Sequence, residues 1–109
     1  MTREQLLFAL RALELQLHSA EVRALVAGEN DAAQQKFVKL VFELRLLVLK
    51  LTNVELSLIA DRLEDLSDEL RQAIDDTERA IRELNGAIEV INTLANVLGF
   101  VTRVLGVLA

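Results

Sequence analysis

The stretch GAIEVINTLANVLGFVTRVLGVLA, Gly86 to Ala109, decides how the rest of the chain is read. On a helix its residues fall into three parallel rows with steps of four and three, the spacing that stacks side chains along one face. One row, Leu84, Ile88, Ile91, Ala95, Leu98, Thr102 and Leu105, reads as a core seam. A second, Ala87, Val90, Leu94, Val97, Val101, Val104 and Leu108, is apolar throughout. Only the third, Asn85, Glu89, Asn92, Asn96, Gly99, Arg103 and Gly106, suits water.

Leaving the valine and leucine row in water would forgo roughly 1.5–3 kcal/mol of burial per side chain, about 9–18 kcal/mol over the row. A domain's net stability is only about 5–15 kcal/mol. Neighbouring helices of the chain, a second copy or lipid must therefore cover both rows. A partner is expected on the second row, making Val90, Leu94, Val97, Val101, Val104 and Leu108 interface candidates. Gly99 and Gly106 join them, because a glycine inside an exposed helix costs about 1 kcal/mol against alanine unless close packing uses it.

Working outward, Asn85-Gly86 is a helix-ending pair, yet the polar strip passes through it in phase. The favoured reading breaks the chain there, giving an all-α four-helix bundle with helices at about 3–27, 31–52, 54–85 and 87–108. The alternative runs the last two together as one helix roughly 80 Å long at 1.5 Å per residue. A sustained period of seven would then require a supercoiled, coiled-coil partner.

Upstream, Thr2 and Gln5 form a capping box that opens an amphipathic run whose seam is Leu6, Leu10, Leu13, Leu17, Ala20 and Ala24. Gly28 with Glu29-Asn30-Asp31 supplies a break and a new N-cap. The following segment, FVKLVFELRLLVLKL, is apolar on most of its circumference, with Lys36, Lys39, Glu43 and Lys50 as its polar strip. Arg45 lies nearly opposite that strip, so it either needs a carboxylate partner or marks where another subunit docks. Thr52-Asn53-Val54-Glu55 fits a second capping box that would start a third helix, though nothing there forbids the helix from running on. Beyond it, Asp61, Glu64, Asp68, Arg71, Asp75, Glu78 and Arg82 face Leu63, Leu66, Leu70, Ile74, Thr77 and Ile81.

Composition narrows the function classes. With 52% hydrophobic residues, 27% charged residues and no proline, the chain suits long helices in a single domain spanning residues 1–109. A net charge of −5 without a basic cluster argues against a nucleic-acid partner. Having no cysteine removes disulfides, thiolate metal sites and thiol catalysis. Glu4, Arg11 and Glu14 interrupt any N-terminal apolar run, so neither a secretory signal nor an anchor is expected there, and the cytoplasm is the default compartment.

Candidate chemistry is thin. His18, flanked by Glu14 and Glu21, is the only histidine, and di-iron bundles need Glu-x-x-His from two helices; no metal site is expected. The acidic group Asp61, Glu64, Asp65, Asp68 and Glu69 lacks a calcium-type loop and reads as a solvated face. No catalytic triad, phosphate loop or nucleotide fingerprint can be assembled, so neither catalysis nor a cofactor is expected.

The leading expectation is a non-enzymatic helical protein for assembly or adaptor work, acting by helix-to-helix packing as a homo-oligomer or with another protein. A membrane-active protein that releases an apolar C-terminal helix is the second reading; Arg103, Glu89, Asn92 and Asn96 make a membrane a less favoured partner. A designed bundle is the third, since proline, cysteine and tryptophan are all absent.

Overall fold

The structure, a computed structural model, describes residues 1–106. Those residues form six helices and no strand: α1 (Arg3–Leu17), α2 (Ala20–Ala27), α3 (Asp31–Asn53), α4 (Leu56–Asp65), α5 (Ser67–Arg82) and α6 (Ala87–Leu105). The all-α expectation stands, but the count of four is corrected to six. Two expected helices are each divided.

The first division is at His18-Ser19, where the Ser19 side chain accepts from the Val22 amide and starts α2. Its consequence is a change of phase. Val22 and Val26 turn inward, while Ala20 and Ala24, expected in the seam, are exposed. The second division is at Leu66, between α4 and α5, where the Leu66 amide reaches back to the Arg62 carbonyl at 3.0 Å.

Other boundaries follow local chemistry. Thr2 and Gln5 make the expected reciprocal capping box. Asn30 accepts from the Ala33 amide at 2.9 Å and begins α3, although Gly28 keeps a negative φ of −79° and does not use glycine's freedom. No second capping box forms at Thr52. Thr52 Oγ1 donates back to the Val48 carbonyl and Asn53 Nδ2 to the Leu49 carbonyl, so α3 runs through both residues, and α4 begins without a side-chain cap.

The single long helix is ruled out between α5 and α6. Leu84 has φ of +51° and Gly86 of +109°. The Asn85 amide donates to the Ala80 carbonyl and the Leu84 amide to the Ile81 carbonyl, the paired bonds of a Schellman ending. Leucine, not glycine, takes the left-handed position. Leu84 accordingly leaves the seam assigned to it and is about half exposed.

Helices α1, α3, α6 and α5 pack in a closed ring, each against the next, with α2 beside α1, α3 and α6, and α4 against α5 and α6. The Cα envelope measures 43 × 22 × 18 Å, about two helix layers thick. Every ring helix must therefore keep one side toward solvent. The core is aliphatic apart from Phe37, built chiefly from Leu6, Leu10, Leu13, Leu17, Leu44, Leu51, Ile59, Leu70 and the inner rows of α6. Buried Thr77 and Ser67 satisfy their hydroxyls on the Ala73 and Leu63 carbonyls one turn back.

Candidate interaction surface

Helix α6 uses its apolar rows inside the chain. Val90, Leu94, Val97, Val101 and Val104 are all fully buried, at 0% exposure, under α5, α3, α4 and α2. The row read as an interface is therefore the centre of the chain's own core. The row read as the core seam is its margin: Ile91, Leu98 and Leu105 are buried, whereas Ile88 and Thr102 face outward. Leu108 lies outside the described residues.

The two glycines also part company. Gly106 ends α6 with φ of +63°, and its Cα faces the Arg62 guanidinium, which a Cβ would meet at 3.0 Å. Arg62 Nε donates to the Val104 carbonyl at 2.8 Å and Nη2 to the Leu105 carbonyl at 3.3 Å, placing a cation at the negative end of α6. Gly106 thus serves a helix terminus. Gly99 is exposed, with nothing within 4 Å of a Cβ built there, so no packing within the chain uses its smallness.

Leu56 and Leu58 of α4, Leu84 and Ile88 are about half exposed, and the most exposed large apolar side chains are on α1 and α3. Steps of four, four and three set Val38, Phe42, Leu46 and Leu49 on one stripe of α3, opposite the row of Phe37, Leu44, Leu47 and Leu51 that faces the core. Phe42 is 60% exposed and Leu49 59%. On α1, Phe8 and Leu15, each 77% exposed, stand opposite Leu6, Leu10, Leu13 and Leu17.

Two contacts join the helices. Arg45 Nε lies 3.0 Å from Glu14 Oε1, and Arg3 Nη1 donates to the Val54 carbonyl at 2.6 Å. These fix α1 and α3 antiparallel. In that register Phe8 stands level with Leu49, and Leu15 level with Phe42. Arg45 has the carboxylate partner its position called for, and its side chain stays 64% exposed at the border of the stripe.

The surroundings of the stripe permit covering. Thr52 and Asn53 turn their polar atoms onto their own helix, and Gln34 Nε2 donates to the Glu29 carbonyl at 2.8 Å. A neighbour laid over these groups would strand few unpartnered polar atoms, which is what makes burial of polar surface costly. A shallow groove of about 500 Å³, lined by Gln34, Gln35, Val38, Lys39 and Phe42, opens at the N-terminal half of α3.

Charge is distributed unevenly. Four cations against two carboxylates leave α3 at +2, and eight carboxylates against four arginines leave α4 and α5 together at −4. The acidic group Asp61, Glu64, Asp65, Asp68 and Glu69 is exposed, and among the described residues no cluster of three or more His, Asp or Glu is arranged to hold a metal ion. His18 is exposed at the end of α1.

The exposed stripe was visible in part: the sequence shows α3 to be apolar nearly all round, but not which side its neighbours leave bare. The class defined is an all-α helical domain with an unpaired apolar face. Comparison with protein-family models, with curated proteins and with solved structures gives no match.

Proposed function

We propose that this protein is a non-enzymatic association module that works by docking the α1–α3 face onto another helical surface. One observation carries the reading: after the fold has covered the valine row of α6, six large apolar side chains on α1 and α3 remain 42–77% exposed. Single exposed leucines are ordinary, whereas four large apolar side chains in one row of α3, with two more on the adjacent α1, are the kind of patch that marks a docking site.

Sedimentation equilibrium over a dilution series tests the reading. The expected result is a mass that rises with concentration above the 12.2 kDa of one chain and falls back on Phe42→Glu substitution. A mass fixed at one chain throughout, with no protein retained on the folded chain as bait, would contradict it.

The membrane reading rests on α6, which is 19 residues long with a mean hydropathy of 1.4 and by length and composition could cross a bilayer. Half of that window is buried in the fold. Insertion would have to expose the core that α6 fills, so the docking reading is favoured.

A further inference from the structure

We infer that the occupant of the α1–α3 face is a second copy of the chain, seated face to face so that α3 of one protomer lies along α1 of its partner; the inference rests on the association reading above.

Self-complementarity is the first argument. Phe8 and Leu15 are seven residues apart on α1, and Phe42 and Leu49 seven apart on α3, both about 10.5 Å along the axis. The antiparallel register set by Arg45–Glu14 and Arg3–Val54 puts one phenylalanine and one leucine at each level along the helices. A two-fold axis parallel to the helices keeps those levels and swaps sides. Phe8 then faces the partner's Leu49, and Leu15 faces the partner's Phe42. Each layer holds two phenylalanines and two leucines, equal in volume.

Charge selects this arrangement over its rival. A two-fold axis across the helices would set α3 on the partner's α3, with +2 against +2. Helix α1, with Arg3 and Arg11 against Glu4 and Glu14, carries no net charge and is the less repulsive counterpart, although Arg11, exposed between Phe8 and Leu15, brings one cation onto the partner's α3. The Arg45–Glu14 pair balances the cation nearest the stripe before any partner arrives. Head-to-tail docking of α3 on the acidic α5 of another copy would gain charge attraction, but Leu70, Ile74 and Ile81 of α5 are turned inward, leaving the stripe no large apolar counterpart there.

Area sets the strength. Helices of 23 and 15 residues give a footprint of roughly 550 Å² per copy, about 1,100 Å² in total, at the lower edge of stable interfaces. An interface of that size belongs with the reversible, concentration-dependent ones.

The chain contains no cysteine, so single substitutions at exposed positions supply clean reporters. Leu15→Cys and Phe42→Cys proteins, separately and mixed, are treated with a short bis-maleimide, and their native mass is measured alongside the unsubstituted chain. Facing helices sit ~8–10 Å apart and diagonal ones farther, so the mixture should give about tenfold more cross-linked dimer than either protein alone. The Phe8→Cys with Leu49→Cys pair should repeat the pattern, and circular dichroism checks that each variant is folded.

Cross-linking of Phe42→Cys alone, or assemblies growing past the dimer, would overturn the inference and leave the association reading intact. Wild-type protein that stays monomeric and sediments with anionic vesicles would overturn the second copy in favour of lipid. Monomer without vesicle binding, together with no cross-link in any mixture, would overturn the second copy, and the association reading falls with it only if the folded chain used as bait also retains no protein.

Discussion

Helices α3 and α6 carry comparable lengths of apolar sequence and meet opposite fates. Helix α6 lies against α5, α3, α4 and α2, and its valine row sees no water; α3 is flanked by α1, α6 and the short α2, and its outer side keeps Val38, Phe42, Leu46 and Leu49 in solvent. Apolar girth alone does not say which helix will be left with an uncovered face. The number of neighbours that fit around it does: α6 has four and turns its polar strip of Glu89, Asn92, Asn96 and Arg103 to solvent, whereas α3 has three and is left with an apolar side bare.

The largest effect that would break this contrast comes from truncating one leucine on each helix. Leu94→Ala should cost about 2–5 kcal/mol in urea unfolding of dilute protein, because it opens a cavity in a packed core. Leu49→Ala should stay within about 0.5 kcal/mol under the same conditions, as surface positions do. Similar costs at both would show that α3 is as enclosed as α6.

Next in size is Phe42→Glu. A carboxylate in the middle of the stripe should raise the dissociation constant of self-association by tenfold or more, about 1.4 kcal/mol, in sedimentation equilibrium. Monomer unfolding should barely change.

Gly99→Ala sharpens the comparison from the side of α6. With open space around the added methyl, helix propensity alone should stabilise the chain by about 1 kcal/mol in thermal or urea unfolding, without altering association. A loss of association in this variant would move the docking surface to the wet strip of α6, where the sequence reading placed Gly99.

Leu84→Gly should have the smallest effect, a gain of roughly 0.5–1 kcal/mol, since glycine takes the left-handed turn between α5 and α6 without the Cβ penalty leucine bears. Calorimetry of the two proteins would measure it.

What the sequence disclosed was local. Thr2 with Gln5, Asn30 before α3 and Asn85-Gly86 after α5 each state a boundary through hydrogen bonds that close within a few residues, and all three boundaries are present. The break at Ser19 carried a comparable signal, a serine followed by a glutamate in the first turn, but the leucine periodicity of α1 ran on past it and masked the change of phase. At Leu66 the local signal was Asp65 and Ser67 on either side, with Ser67 Oγ donating to the Leu63 carbonyl, and the apolar spacing of Leu63, Leu66 and Leu70 ran through it.

The candidate surface was legible only at its edge. Arg45 stood out as a charge on the wrong side of α3, and that side is where the unpaired stripe lies. The valine row of α6 was correctly seen to need cover, yet whether the cover came from this chain or from another depended on the order of helices around the ring. Periodicity reports which residues share a face; it does not report what the face meets.

The most direct measurement is solvent paramagnetic relaxation, using a soluble nitroxide and methyl and aromatic NMR signals at low and high protein concentration. Val90, Val97 and Val104 are expected to be unaffected at either concentration, while Leu15, Phe42 and Leu49 are strongly relaxed in dilute protein and protected when it is concentrated. Relaxation of the α6 valines in dilute protein, or α3 signals that stay equally exposed at every concentration, would contradict the account.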